Sequence, residues 1–339
     1  MHLSAFITVG ENIHCTRIYK VGGKSVKAPA DGEPAIVYNA DGEPRELPIP
    51  PVFRETADWE AGRVKHCAVA VWQGTRGDAG GRQAGTDYLQ SLARKQQAAG
   101  ASYLDLNVDE FSTDVRERVA LMKWTATVVQ QAVSIPLSID SSNLEILAAG
   151  LEACDASHGR PLVNSVSLER PQSIETAAAH GAVVIASCAG ESGLPCTTEE
   201  RLVNLGTLMP RLREAGFDDP DIHVDPLVLP ISTDSNNGRT FLDAVSAIRK
   251  TYGDGLHIVA GLSNVSFGMP KRKLINQVFS YLAAEAGADG GIVDPLQINV
   301  DILNGLDPES EPFRMARALL TGEDEFGMNF ITACREGTL

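Results

Sequence analysis

Eight polar residues carry the chemistry that can be read along this chain. Glu11, Asn12, Asn107, Asp109, Asp140, Asn164, Asp225 and Asn264 each end or follow a short apolar run. Carboxylates accept hydrogen bonds from amino and ring N–H groups, while amides both donate and accept. A set rich in Asp and Asn, with few lysines, suits a neutral nitrogen heterocycle that offers several N–H donors and ring-nitrogen acceptors. The competing account of each residue is local, because Asp and Asn after a strand often cap the next helix. That account serves Asp109 and Asn143 well. It does not explain why so many runs end in an acid or an amide.

The runs themselves cover 6–13, 103–108, 136–142, 162–167, 182–188, 221–227, 257–264 and 290–295. Continuous apolar, β-branched runs are the mark of strands buried on both faces, as in parallel sheets. Between them, 114–133, 143–154, 197–214 and 270–286 repeat apolar residues at helical spacing or open on capping residues. Eight strands alternating with helices predict an α/β chain folded as a (β/α)₈ TIM barrel, in which strand-end residues converge on one mouth. The 339 residues exceed the roughly 250 of a lean barrel. We expect one domain over 1–339 with an insertion over 14–85, beside the catalytic mouth. That insertion reads as a hairpin around Asp41-Gly42, a helix over 57–73 and a flexible linker from Gly74 to Gly85. A packing helix is expected over 311–321.

A formal charge of −15 repels phosphate backbones, so nucleic acid is not an expected partner. The six cysteines are scattered with no CxxC, which suits a reduced, cytoplasmic protein. The N-terminus lacks a basic segment and a long apolar core, so no signal peptide is read. No apolar stretch nears the length of a membrane span, so no membrane partner is expected. His14-Cys15 and His66-Cys67 raise a zinc site, but adjacent residues rarely bind one ion together, and no metal is expected.

Five stretches carry a family likeness: GENIH, LDLNVDE, LSIDSSN, VDPLVLP and GLSNVSFGMPKRKLIN. They resemble the methyltetrahydrofolate:corrinoid methyltransferases, whose pterin-binding barrel is also the folate module of cobalamin-dependent methionine synthase and is related to dihydropteroate synthase. The likeness covers most of 5–16 and 87–297. It implies a dihydropteroate-synthase-like barrel that moves a methyl group between the N5 of tetrahydrofolate and the cobalt of a protein-bound corrinoid. A pterin is a heterocycle of the kind the Asp/Asn set suits. Carried over position by position, the likeness implies that Asp140, Asn164 and Asp225 hold the pterin. It places Asn264 at N5 and the methyl group, with Asp225 counted beside it in catalysis. Glu11, Asn107, Ser263 and Arg272 complete the expected folate-binding set, Arg272 toward the anionic part of folate. Phe267 departs from the amide found there in short bacterial relatives, which makes the polar network around N5 leaner.

The chain shows no corrinoid-binding DxHxxG module, so cobalamin or a related corrinoid is expected on a partner protein. Folate, as tetrahydrofolate or 5-methyltetrahydrofolate, is the expected small-molecule substrate, and a homodimer the expected assembly. Two other readings stand beside this one. A dihydropteroate synthase-type enzyme would need a late strand ending in Arg-x-His, where this chain has GIVDPLQ. A non-catalytic folate-binding protein would need no Asn264.

Overall fold

The β-branched runs form the strands they predict. In the computed structural model, which describes residues 2–27 and 32–339, the chain opens with β1 (Ile7–His14), β2 (Ile18–Lys20), β3 (Ala35–Ala40) and β4 (Glu43–Pro48). Two single-turn helices, α1 (Pro51–Arg54) and α2 (Ala57–Glu60), lead to β5 (Arg63–Lys65), α3 (His66–Arg76) and α4 (Ala79–Ala98). Alternation follows: β6 (Tyr103–Asn107), α5 (Val115–Gln130), β7 (Leu137–Asp140), α6 (Leu144–Ala153), β8 (Leu162–Val166), α7 (Gln172–Ala179) and β9 (Val183–Ser187). It continues through α8 (Thr198–Glu214), β10 (Ile222–Asp225), α9 (Asn237–Tyr252), β11 (His257–Ala260), α10 (Arg272–Ala286) and β12 (Gly290–Val293). The tail adds α11 (Val300–Asn304), α12 (Glu311–Leu320) and α13 (Met328–Glu336).

Strands β1 and β6 to β12 close a barrel in the order β1-β12-β11-β10-β9-β8-β7-β6, and β9 is buried at every residue, as a doubly covered strand must be. All eight predicted strands are present within a few residues. Among the described residues, no helix is long and apolar enough to cross a membrane.

The chain divides into two compact units. The first holds Met1–Gly10, Ala99–Ser102 and Leu162–Leu339. Its core is the apolar inner face of α8, α9 and α10 over β8 to β12, with Phe241 and Phe279 fully buried and their rings 5.2 Å apart. Helix α8 starts on a reciprocal cap, Thr197 accepting from the Glu200 N–H while Glu200 returns to the Thr197 backbone.

The second unit holds Glu11–Ala98 and Tyr103–Pro161, and with them most of the expected insertion. Residues 28–31 of its Pro/Gly/Asp-rich stretch lie outside the described residues. The hairpin is there: β3 and β4 pair antiparallel around Asp41 (φ 55°) and Gly42 (φ 86°), the two left-handed residues a type I′ turn requires. It packs on α4, where Tyr38 meets Tyr88 edge-on at 4.9 Å and Arg45 pairs with Asp87 at 2.9 Å. Two readings of the insertion need correction. The single helix over 57–73 is split by β5, which pairs with β2. The linker from Gly74 to Gly85 is instead the end of α3 and the start of α4. A side-chain carbon on Gly74 would overlap the Trp124 ring, and one on Gly85 would run into the Ala70 carbonyl and the Gly74 backbone. These glycines bring helix backbones together; they do not loosen the chain.

Candidate active site

In the second unit the polar residues gather at the ends of β1, β6 and β7. Asp105 is fully buried between Leu104 and Leu106. It accepts a hydrogen bond from the Ser138 hydroxyl and pairs with His14 Nε2 at 2.8 Å. Asn107 Nδ2 donates to Asp140 Oδ2 at 2.9 Å, so two expected folate residues are joined directly. Glu11 is 9 % exposed and pairs with Arg17 at 2.5 Å. Asp109 accepts from the Ser141 hydroxyl at 2.7 Å and from the Ser142 N–H at 2.9 Å, with Arg118 at 3.7 Å. It ties two strand-end loops together.

The acidic crowding moves protons. Burial, followed by the charge of Asp105, pushes the Asp140 carboxyl well above the usual carboxylate range, against the pull of His14 and the Asn107 donor. For His14, burial disfavours the imidazolium, but the hydrogen bond and charge of Asp105, then Asp140 and Glu11, outweigh it and raise its pKa. The side-chain ligand atoms of His14, Asp105 and Asp140 all lie within 4.8 Å of one another. That spacing would admit a cation, although His14 Nε2 and an Asp105 carboxyl oxygen already lie at hydrogen-bond distance. The second of the two His-Cys pairs is engaged in local contacts. His66 stacks on Tyr19 at 4.0 Å and meets the Tyr88 hydroxyl at 3.0 Å, while the Cys67 thiol donates to the Asn12 carbonyl at 3.3 Å.

In the first unit, Asp225 ends β10 and is 8 % exposed. Its carboxylate accepts the Leu227 N–H at 2.8 Å. Burial still pushes the carboxyl up to about 6, with the Leu227 N–H, Arg201 and the Gly261 N–H pulling the other way. Arg201, buried in α8, was not singled out from the sequence. It donates to the carbonyls of Pro226 at 2.6 Å and Leu227 at 3.1 Å, and so braces the loop that turns away from Asp225. Asn164 sits where the β8–β9 register shifts, a bulge of the kind that re-aims a side chain.

Asn264 is not on the strand, as expected, but on a 3₁₀ turn over Leu262–Ser266 that follows β11. Leu262 and Val265 anchor this turn in the core, and the three-residue period leaves Ser263 half-buried and Asn264 exposed. Arg272 fixes the same turn, donating to Ser266 Oγ at 3.0 Å and the Ser263 carbonyl at 3.1 Å, with its guanidinium 6.0 Å from the centre of the exposed Phe267 ring. A cation expected to meet substrate thus also holds the loop that presents Ser263 and Asn264.

Known proteins resemble this chain in the same region. The family described as pterin binding enzyme matches residues 78–294. A methylcorrinoid:tetrahydrofolate methyltransferase of Eubacterium limosum is 31 % identical over 259 residues, covering 74 % of this chain and 89 % of that protein. The methionine synthase of Mycobacterium leprae (strain TN) is 34 % identical over 234 residues, 62 % of this chain but 18 % of the synthase. Among solved structures, dihydropteroate synthases from Yersinia pestis and Stenotrophomonas maltophilia superpose with a TM-score of 0.50 at 17 % and 19 % identity, over 69 % of this chain and 88 % of theirs. At that identity the likeness concerns the fold alone.

Proposed function

The chain belongs to the pterin-binding enzyme family, and from that premise we propose that it is a methyltransferase moving a methyl group between the N5 of tetrahydrofolate and the cobalt of a corrinoid carried by a partner protein. The observation that carries this reading is the state of Asp225. A buried carboxyl pushed up to about 6 despite two backbone donors is short of compensating charge and hydrogen bonds. The amino and ring N–H groups of a pterin would supply them. Asp140, held by Asn107, offers a second such acceptor. Asn164, Ser263, Glu11 and Arg272 complete the proposed folate contacts.

The corrinoid supplies the low-valent cobalt that exchanges the methyl group. The chain's own share is positioning and electrostatics. A tertiary amine leaves poorly unless N5 is protonated or strongly hydrogen-bonded. An amide can accept from a protonated N5 and donate to a neutral one without titrating. Asn264, exposed on a turn pinned at both anchors, is our candidate for that contact.

The test mixes the protein with 5-methyltetrahydrofolate and free reduced cobalamin and follows the visible spectrum of the cobalt. Loss of the reduced-cobalt band at a rate proportional to enzyme supports the reading. A protein that binds folate without changing that spectrum, with free cobalamin or with a corrinoid protein, refutes methyl transfer. Condensation of para-aminobenzoate with a pterin pyrophosphate would move the chain to dihydropteroate synthase chemistry.

A further inference from the structure

The carboxylates around β1, β6 and β7 do not share their cations evenly. Glu11 has Arg17 at 2.5 Å, and Asp109 has Arg118 at 3.7 Å together with two serines. Asp105 and Asp140 lie on neighbouring strands and meet at one imidazole, that of His14, the last residue of β1. His14 is 12 % exposed at its side chain and Asp105 is wholly buried, so little water screens the three groups from one another. Resting on the folate-binding reading of Asp140, we propose that His14 is a positioning residue whose positive charge, held against Asp105, favours the ionised form of Asp140, the form best able to accept the N–H groups of the pterin.

The argument is electrostatic. With His14 neutral, an ionised Asp140 would face the ionised Asp105 and also Asp109, all within a poorly hydrated cluster. Like charges at such range cannot all persist, and one proton would be taken up. That proton would go to Asp140, the carboxyl farther from the Asp105–Ser138–His14 bonds, and a protonated Asp140 offers the ligand one acceptor fewer. With His14 charged, the Asp105–His14 pair is neutral as a unit and Asp140 ionises more readily. Asn107 Nδ2, on the Asp140 Oδ2 atom, supports the same form.

The first test uses ¹³C NMR of the Asp side-chain carboxyls in the full chain without folate, with the Asp140 signal assigned by its loss in Asp140→Asn. In His14→Gln, which keeps a hydrogen-bond donor for Asp105 but no charge, the Asp140 midpoint should move up by about one pH unit, the equivalent of tenfold in its ionisation. Folate binding by His14→Gln should then be weaker by about fivefold at neutral pH and should converge on the parent at alkaline pH, where both proteins have Asp140 ionised. A merely structural His14 would weaken binding equally at every pH. An unchanged Asp140 midpoint overturns the proposal. If His14→Gln does not fold, coupling is read from the other side: in Asp140→Asn the His14 imidazole midpoint must fall, and an unchanged midpoint overturns the proposal equally. Because the NMR arms contain no folate, they stand or fall separately from the pterin reading, which fails instead if the parent protein does not bind folate at all.

Discussion

At the scale of single residues, the folate-binding role proposed for Asp225 would couple binding to stability. Its carboxyl is raised from its ordinary value to about 6 chiefly by burial, so the folded state resists its ionisation. The resulting penalty is absent below the ordinary carboxylate range, grows as pH rises through about 6, and is fully present at pH 8. Asp225→Asn should therefore unfold at a higher temperature than the parent at pH 8, by on the order of 1–3 kcal/mol, and gain nothing at pH 4. Its folate affinity should fall, which calorimetric titration at pH 8 would measure. Asn264→Ala should behave differently, because a contact that strengthens as charge changes at N5 acts on rate. We expect kcat to drop by roughly 10- to 100-fold with folate binding nearly intact, and equal losses in both would count against that role. The strand-end places of Asp140 and Asp225 were legible because an acid closing an apolar run is a local pattern, whereas Asn164 lies inside β8. The His14–Asp105 pair was not, because its partners are 91 residues apart and meet only through strand register. An acid between two leucines in LDLN was the available signal.

At the scale of elements, periodicity was a sound guide wherever burial was continuous. Strands β6 to β12 and helices α5, α6, α8 and α10 fall where apolar spacing and capping residues placed them. The reading failed where glycine had two meanings. Residues 74–85 carry five glycines, and composition alone suggested a loose linker. In the structure Gly74 lies under Trp124 of α5 and Gly85 under the α3 backbone, so small size is what the positions need. Gly74→Val should lower stability by about 1–3 kcal/mol, as overpacking of a close contact does. Chemical denaturation would check this, and an unchanged midpoint would show that the helices have room to move apart. Arg201 makes a second test. Arg201→Met keeps length but leaves the Pro226 and Leu227 carbonyls without their donor and removes a charge that favours the ionised Asp225, so folate binding should weaken.

At the scale of the whole molecule, the stretch between β1 and α4 is the departure from a lean barrel. A cavity of about 260 Å³ is lined by Phe53, Val64, Trp72 and Arg76 of that stretch and by Glu110 and Phe111 of the loop after β6. The inserted chain therefore packs beside a strand-end loop, and we propose that it forms a wall of the folate cavity or a docking surface for the corrinoid protein or a second subunit. Lys20 and Arg63 are paired across β2 and β5, so a two-residue Asn-Gly turn can join them in place of residues 21–62. If the segment serves docking, the shortened protein should keep methyl transfer to free cobalamin within about threefold and lose roughly tenfold or more with the corrinoid protein. Parent-level rates with both acceptors, from a folded protein, would leave the segment a surface decoration.

The buried carboxyl at the end of β10 has a consequence for the surrounding solution. Near pH 6 a good part of the free protein holds a proton on Asp225. A ligand that needs the ionised form must expel that proton on arrival and return it on departure. Association would then acidify a weakly buffered solution, and its measured heat would change with the ionisation enthalpy of the buffer. On the function proposed above, capture of the substrate would be an acid-releasing event even though the methyl transfer proposed to follow it would draw on an amide that never titrates.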